Sequence, residues 1–230
     1  MWQSFPALEK YYHPFEKDFD ADYNIPWMHA NQHIIAGIVG VYIFMVFLVK
    51  RSPNSFRYVT TTPNPDFDEK KEISKVNSPH IRHTPQWLRH SAGMWNLFLS
   101  VFSTWGMLRT VPQLLHYIRT KDFRDTVCST STSTYGHGAC GLASQMFILS
   151  KIPELVDTVF LALKGAEIGL LQWYHHSTVL AFCWHSYVNE SGYGLWFIAM
   201  NYTVHAIMYM YFTLMNYKIA VPMLQAAAPL

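Results

Sequence analysis

Three stretches of this 230-residue chain, 126–150, 168–189 and 191–217, contain no Asp, Glu, Lys or Arg. Each is long enough to cross a bilayer core as a helix, which takes about 20 residues. Two earlier runs, Ala30 to Val49 and Ser91 to Leu108, have the same character. A segment inside lipid must satisfy its own backbone hydrogen bonds, and a helix does so within itself. The expected fold is therefore all-α: a polytopic integral membrane domain with about five transmembrane helices. Composition agrees, because 14% of the residues are charged where a soluble domain has about 25%.

Loop charge sets the expected orientation. Lys50, Arg51, Arg57, Lys70, Lys71, Lys75, Arg82 and Arg89 fall between the first two hydrophobic runs. Under the positive-inside rule, 50–92 is then a cytosolic loop. Residues 1–29 become a lumenal N-terminal segment ahead of a membrane domain spanning 30–230. That segment mixes acids with aromatics and lacks the basic start and small-residue cleavage site of a signal peptide, so it is expected to be retained. Arg119, Lys121 and Arg124 fall in a lumenal loop and run against the rule. Asn189-Glu-Ser191 is a sequon on the lumenal side, and Cys128 and Cys140 lie where a disulfide is permitted. Residues 60–80 read as an exposed, proline-punctuated part of the cytosolic loop. A net charge of +2 and the absence of any Gly-rich phosphate loop exclude nucleic acid and nucleotide readings.

Against that apolar background, the polar residues are informative. On one continuous helix Lys151, Glu154, Asp157 and Thr158 fall within about 120° of one another and make a single stripe. Each ionised group at membrane depth costs at least about 2.5–3.5 kcal/mol, so the stripe has to face protein or water. A bland explanation is an intrahelical Lys151–Glu154 pair that only holds helices together. In "LQWYHHSTVLAFCWHSY" (171–187), Gln172, His175 and His176 share a face about 100° wide. Two imidazolium ions side by side in an apolar setting repel and lose hydration, so at least one of the two histidines is neutral. A neutral imidazole can serve as base, nucleophile or metal ligand. In "NYTVHAIMYMYF" (201–212), Asn201, His205 and Tyr209 share another face. A lone helix histidine is usually a satisfied core residue, but several polar faces on successive membrane helices point to a shared site.

Taken together, "KIPELVDT", "QWYHHST" and "NYTVHAIMYMYF" resemble the three signature boxes of the ELO family of fatty-acid elongases, in their usual order and spacing, with "TVLAFCWHSY" adding to the likeness. The resemblance covers about residues 30–220. It is strongest to members acting on saturated and monounsaturated chains of about sixteen carbons, through "LQWYHHSTVL" and "FSTWGMLRTVPQLL", a likeness of motif alone. It implies a multi-pass 3-ketoacyl-CoA synthase of the endoplasmic reticulum membrane, built as a barrel of helices around an acyl tunnel. Such an enzyme condenses acyl-CoA with malonyl-CoA and releases CO2 and CoA. Carried over box by box, His175 is the acyl-accepting nucleophile, His205 lies across the site and His176 handles protons or orients its neighbour. Lys151, Glu154 and Asp157 build the polar wall, while Gln172, Asn201, Tyr209 and Thr158 contact substrate. No metal or other cofactor is implied. The implied partners are membrane lipid and the reductases and dehydratase of the elongation cycle, with room for a homo-oligomer.

Two departures and one rival class stand beside this resemblance. Gln172 occupies the place where the family's histidine box usually begins with His. After Lys218 twelve residues remain, too few to span a bilayer at about 1.5 Å per residue, so the last two of the family's usual seven helices have no counterpart here. The alternative expectation is accordingly a catalytically inactive partner, or a fragment, of an elongase. The rival is a di-iron desaturase or hydroxylase, since imidazole suits iron. His29 and His33 have HxxxH spacing, and His80, His83 and the His175–His176 pair would be further ligands.

Overall fold

The computed structural model describes residues 6–51 and 84–217. Arg57, Lys70, Lys71, Lys75, Arg82, His80, His83 and Lys218 lie outside them, and with them the segment 60–80. Among the described residues the chain is helical and contains no strand. Two short helices, α1 (Pro14–Lys17) and α2 (Ile25–Ala30), precede α3 (Gln32–Arg51). Beyond the undescribed segment come α4 (Gln86–Thr120), α5 (Phe123–Cys128), α6 (Ser131–Thr134) and α7 (Gly138–Ser150). A 3-10 turn at Pro153–Leu155 leads into α8 (Val156–Leu163), followed by α9 (Leu170–Val188) and α10 (Gly194–Asn216).

The first, fourth and fifth expected helices appear close to their expected bounds, as α3, α9 and α10. Of the described helices, α3 alone is long and apolar enough by length and composition to cross a membrane. The second is longer than expected: 35 residues in α4 give about 52 Å, well beyond a hydrocarbon core of about 30 Å. Arg119 therefore sits at the end of a helix that projects past its apolar run.

The third expected helix, 126–150, is corrected. Residues 129–137 hold only the single helical turn α6 between non-helical residues, and longer helix resumes at Gly138, whose φ of 60° lies in the left-handed region that favours glycine. The cause is the Ser/Thr run. Ser133 Oγ and Thr134 Oγ1 both donate to the Thr130 carbonyl at 2.8 Å, offering the backbone local partners that compete with a continuing helix. The far end is also broken. Pro153 has no N–H to continue the ladder and its ring crowds the preceding turn, so the chain passes through Lys151 and Ile152 into the 3-10 turn. All three cysteines are free thiols, which removes a Cys128–Cys140 bridge.

Packing is dominated by α4 against α10, and α9 lies on α3. Helix α7 touches α4, α9 and α10. Close approach of α4 and α10 depends on small residues, as is usual where helices meet in lipid. A Cβ on Gly106 would stand 2.2 Å from Tyr202 Cζ, and Ser100 Oγ donates to the Ala206 carbonyl at 2.9 Å. Gly106→Val is expected to destabilise the protein by about 1–3 kcal/mol through overpacking, read as a lower thermal midpoint in detergent. An unchanged midpoint would mean that this contact yields freely.

The N-terminal segment packs against α4, α7 and α9. Glu16 is fully buried. Its carboxylate accepts from Arg109 Nε at 3.1 Å, Trp105 Nε1 at 3.2 Å and the His13 backbone N–H at 2.9 Å. Asn24 Nδ2 donates to Gln145 Oε1 at 3.1 Å, and Trp184 Nε1 to the Met28 carbonyl at 3.1 Å. Burial alone would push the Glu16 carboxyl up, but Arg109 and the His13 N–H outweigh it and hold the group below the usual glutamate range. A depressed folded pKa contributes stability that is present above the unfolded value and is lost as pH falls through the folded one. Acidification is therefore expected to lower the thermal midpoint of the wild type more than that of Glu16→Gln. Parallel pH profiles would contradict this.

Candidate active site

The α9–α10 pair is not among the principal helix contacts, and between these two helices opens a cavity of about 970 Å³. Gln172, His175 and His176 line it from α9, and Asn201, His205 and Tyr209 from α10. Both faces expected to converge thus do so, with Asp157 beside them. His175 and His176 stand edge to face, ring centroids 5.7 Å apart. The His175 side chain is exposed toward the cavity, and among the described residues its imidazole has no hydrogen-bond partner.

The expected charged stripe is divided by the break at Pro153. Lys151 and Glu154 are not at the cavity wall but behind it, 3% and 4% exposed. Lys151 Nζ donates to Glu154 Oε1 and Oε2 at 2.7 and 2.9 Å, and Ser150 Oγ donates to Oε1 at 3.0 Å. The Lys151–Glu154 pair foreseen as the bland explanation therefore exists, across the helix break and not within one helix, and it also reaches the site. Lys151 Nζ donates to Asn201 Oδ1 at 3.2 Å, which leaves the Asn201 amide N–H groups free of that contact. The Nδ1 edge of His205 faces Glu154 Oε2 at 3.9 Å, an electrostatic contact too long for a hydrogen bond.

Asp157 turns the other way, toward α4. It accepts from Trp95 Nε1 at 2.7 Å and from the Tyr209 hydroxyl at 2.5 Å. Tyr209 is thereby fixed with its ring edge to face against His205, centroids 5.3 Å apart. Thr158 is fully buried and away from the cavity wall. Its hydroxyl shares a 2.8 Å hydrogen bond with Tyr42 of α3 and accepts from Gln172 Nε2 at 3.3 Å. Gln172 thus bonds in the place where the resemblance leads one to expect His.

Trp95, Tyr42 and Ser150 were not foreseen. Tyr42 carried a usable signal, being the one hydroxyl in the run Ala30–Val49. Trp95 carried none, since an indole in an apolar helix is ordinary.

Among the described residues, the histidines offered as iron ligands form no group at ligand spacing. His29 and His33 are exposed on α2 and α3. Among the described residues, the one group of three His, Cys, Asp or Glu side chains at ligand spacing is Asp20, Asp22 and His137.

Comparison with known proteins places this arrangement in context. The family described as ELO: GNS1/SUR4 matches residues 27–227. Fatty acid elongase 1 of Trypanosoma brucei brucei is 37% identical over 217 residues, covering 93% of this chain and 67% of the relative. Putative fatty acid elongase 3 of Caenorhabditis elegans is 33% identical over 222 residues, 94% of this chain and 59% of the relative. Very long chain fatty acid elongase 6 of Drosophila melanogaster is 32% identical over 204 residues, 89% and 56% respectively. Across these three relatives the chain spans between 56% and 67% of their length. No solved structure matches it significantly. Family match and the long alignments with these relatives agree with the three boxes read from the sequence, and the chain belongs to the ELO, or GNS1/SUR4, family.

Proposed function

We propose that the chain carries out the condensing step of fatty-acid elongation, joining a long-chain acyl-CoA to malonyl-CoA, as a multi-pass protein of the endoplasmic reticulum membrane with about five spans. The observation that carries this reading is the convergence of His175, His176 and His205 on one cavity whose remaining lining is mostly apolar. The relatives' names agree with it. Saturated and monounsaturated chains of about sixteen carbons are the proposed substrates, by motif likeness.

In the first step an imidazole nitrogen of His175 attacks the thioester carbonyl. The C–S bond breaks, the thiolate takes the imidazole proton, and CoA leaves an acyl-imidazole behind. Splitting one difficult displacement into two easier ones is what a covalent intermediate achieves. In the second step malonyl-CoA loses CO2, and the electron pair of the broken C–C bond becomes an enolate. The enolate carbon attacks the acyl carbonyl, the C–N bond breaks, and the imidazole regains a proton, one proton being consumed overall. His176, in ring contact with His175, carries protons. The enolate oxygen needs fixed donors, and the Asn201 amide, held by Lys151, together with His205, held between Glu154 and Tyr209, supplies them. Gln172 and Thr158 fix the wall toward α3. No metal or cofactor enters these steps, and the product would pass to a reductase, a dehydratase and a second reductase. A water-poor chamber protects the acyl-enzyme from hydrolysis.

The test is condensation by purified protein in detergent, with radiolabelled malonyl-CoA, an acyl-CoA series and a metal chelator. Labelled 3-ketoacyl-CoA that forms with or without chelator is expected. Product that vanishes with chelator would overturn the reading, and folded protein that forms none from any acyl-CoA would favour an inactive partner.

A further inference from the structure

The cavity changes character along its length. At one end it is lined by Asn96, Lys164 and Asn216, in the middle by the histidines, and beyond Asn201 by Met200 and Phe197. Phe197 lies eight residues before His205 on α10, about 12 Å along the helix axis. Its ring is also a wall of a second, much smaller cavity of about 20 Å³, which is lined by Ile148, Cys183, Ser186 and Tyr187 among others. Phe197 therefore borders both the reaction chamber and the small space behind it.

The ring is fixed from two sides. It meets Phe147 of α7 edge to face, centroids 6.0 Å apart, and Phe182 of α9 in the same manner at 5.8 Å. Phe182 in turn stacks on Tyr193, whose hydroxyl accepts from Ser186 at 3.0 Å. Three helices thus hold one side chain across the apolar end of the chamber, with edge-to-face geometries favourable for aromatic pairs.

We propose that Phe197 is the floor of the acyl site and a determinant of chain length. This deepens the elongase reading and rests on it. An alkyl tail has no polar group to be recognised by, so a site can measure it only by contact and exclusion. With the thioester at His175, the tail runs along α10 toward its N-terminal end and stops at the Phe197 ring. The small cavity behind is space that a longer tail enters once the ring is removed. Accommodating or excluding a methylene in an apolar pocket discriminates by about 10- to 200-fold, which makes a single ring an effective ruler.

Two measurements on the full chain in detergent test this: equilibrium binding of saturated acyl-CoAs in two-carbon steps, and condensation of the same series with malonyl-CoA. Phe197→Ala is expected to move the preferred length upward by at least one step. The ratio of kcat/KM for the next longer chain to that for the wild-type optimum should rise about tenfold or more. Phe197→Trp is expected to move the preference downward and Phe197→Leu to fall between. Should the alanine variant not fold, the tryptophan and leucine variants decide. Unchanged length profiles in folded variants that still make product would overturn the floor and leave the elongase reading standing. Shifted binding profiles without product from the wild type would do the reverse.

Discussion

Replacing His175 with alanine is expected to abolish formation of 3-ketoacyl-CoA, lowering kcat by more than about a thousandfold, the order seen when a nucleophile is removed from a concerted group. His175 sits on the cavity side of α9 with no side-chain hydrogen bond to lose among the described residues, so the folded structure should be nearly indifferent to the change. The thermal midpoint in detergent is therefore expected to stay close to that of the wild type. This combination separates a nucleophile from a packing residue. A variant that loses activity only in proportion to a lost fold would remove His175 from the chemistry, and one that keeps its rate would assign the acyl group elsewhere.

The second large effect is on stability. Lys151 and Glu154 are almost completely enclosed, and each satisfies the other's charge at 2.7 Å. Removing one member of a buried pair leaves an uncompensated charge and typically costs about 3–5 kcal/mol. Lys151→Met or Glu154→Gln alone is expected to lose that much, whereas the two together, which remove both charges, should lose much less. Thermal midpoints of the two single variants and the double variant complete the cycle. If the double variant is as unstable as the sum of the singles, the two side chains are not coupled as described. Activity is expected to fall in the two variants that lack Lys151 even where the fold survives, because Asn201 loses the Lys151 contact that orients its amide.

Much of the architecture was legible in one dimension because lipid imposes a simple rule. A run without charges long enough to span a core marks a helix, and α3, α9 and α10 follow from that rule within a few residues. The rule failed at 126–150, where absence of charge was not presence of one continuous helix: a serine-threonine run satisfied its backbone locally and Gly138 took a left-handed conformation. It was also blind to Pro153. One proline turned an expected continuous stripe into three separate polar contacts, sending Lys151 and Glu154 behind Asn201 and His205, Asp157 to Trp95 and Tyr209, and Thr158 to Tyr42. The convergence of the two histidine faces could be anticipated, because helical periodicity fixes which residues share a face. Which partner each polar group would find could not, since that depends on how α3 and α4 lie against the rest. Glu16 is a similar case. An acid in an N-terminal segment looks solvated until Arg109 and Trp105 arrive from 93 and 89 positions along the chain.

The most direct test of the central claim is to find the acyl group on the protein. The purified chain is incubated with a long-chain acyl-CoA in the absence of malonyl-CoA, quenched, digested and examined by mass spectrometry. The expected result is one acyl chain on the peptide containing His175, released as 3-ketoacyl-CoA when malonyl-CoA is added before quenching. An acyl group on any other side chain, or condensation that proceeds with no adduct at any time point, would contradict the mechanism.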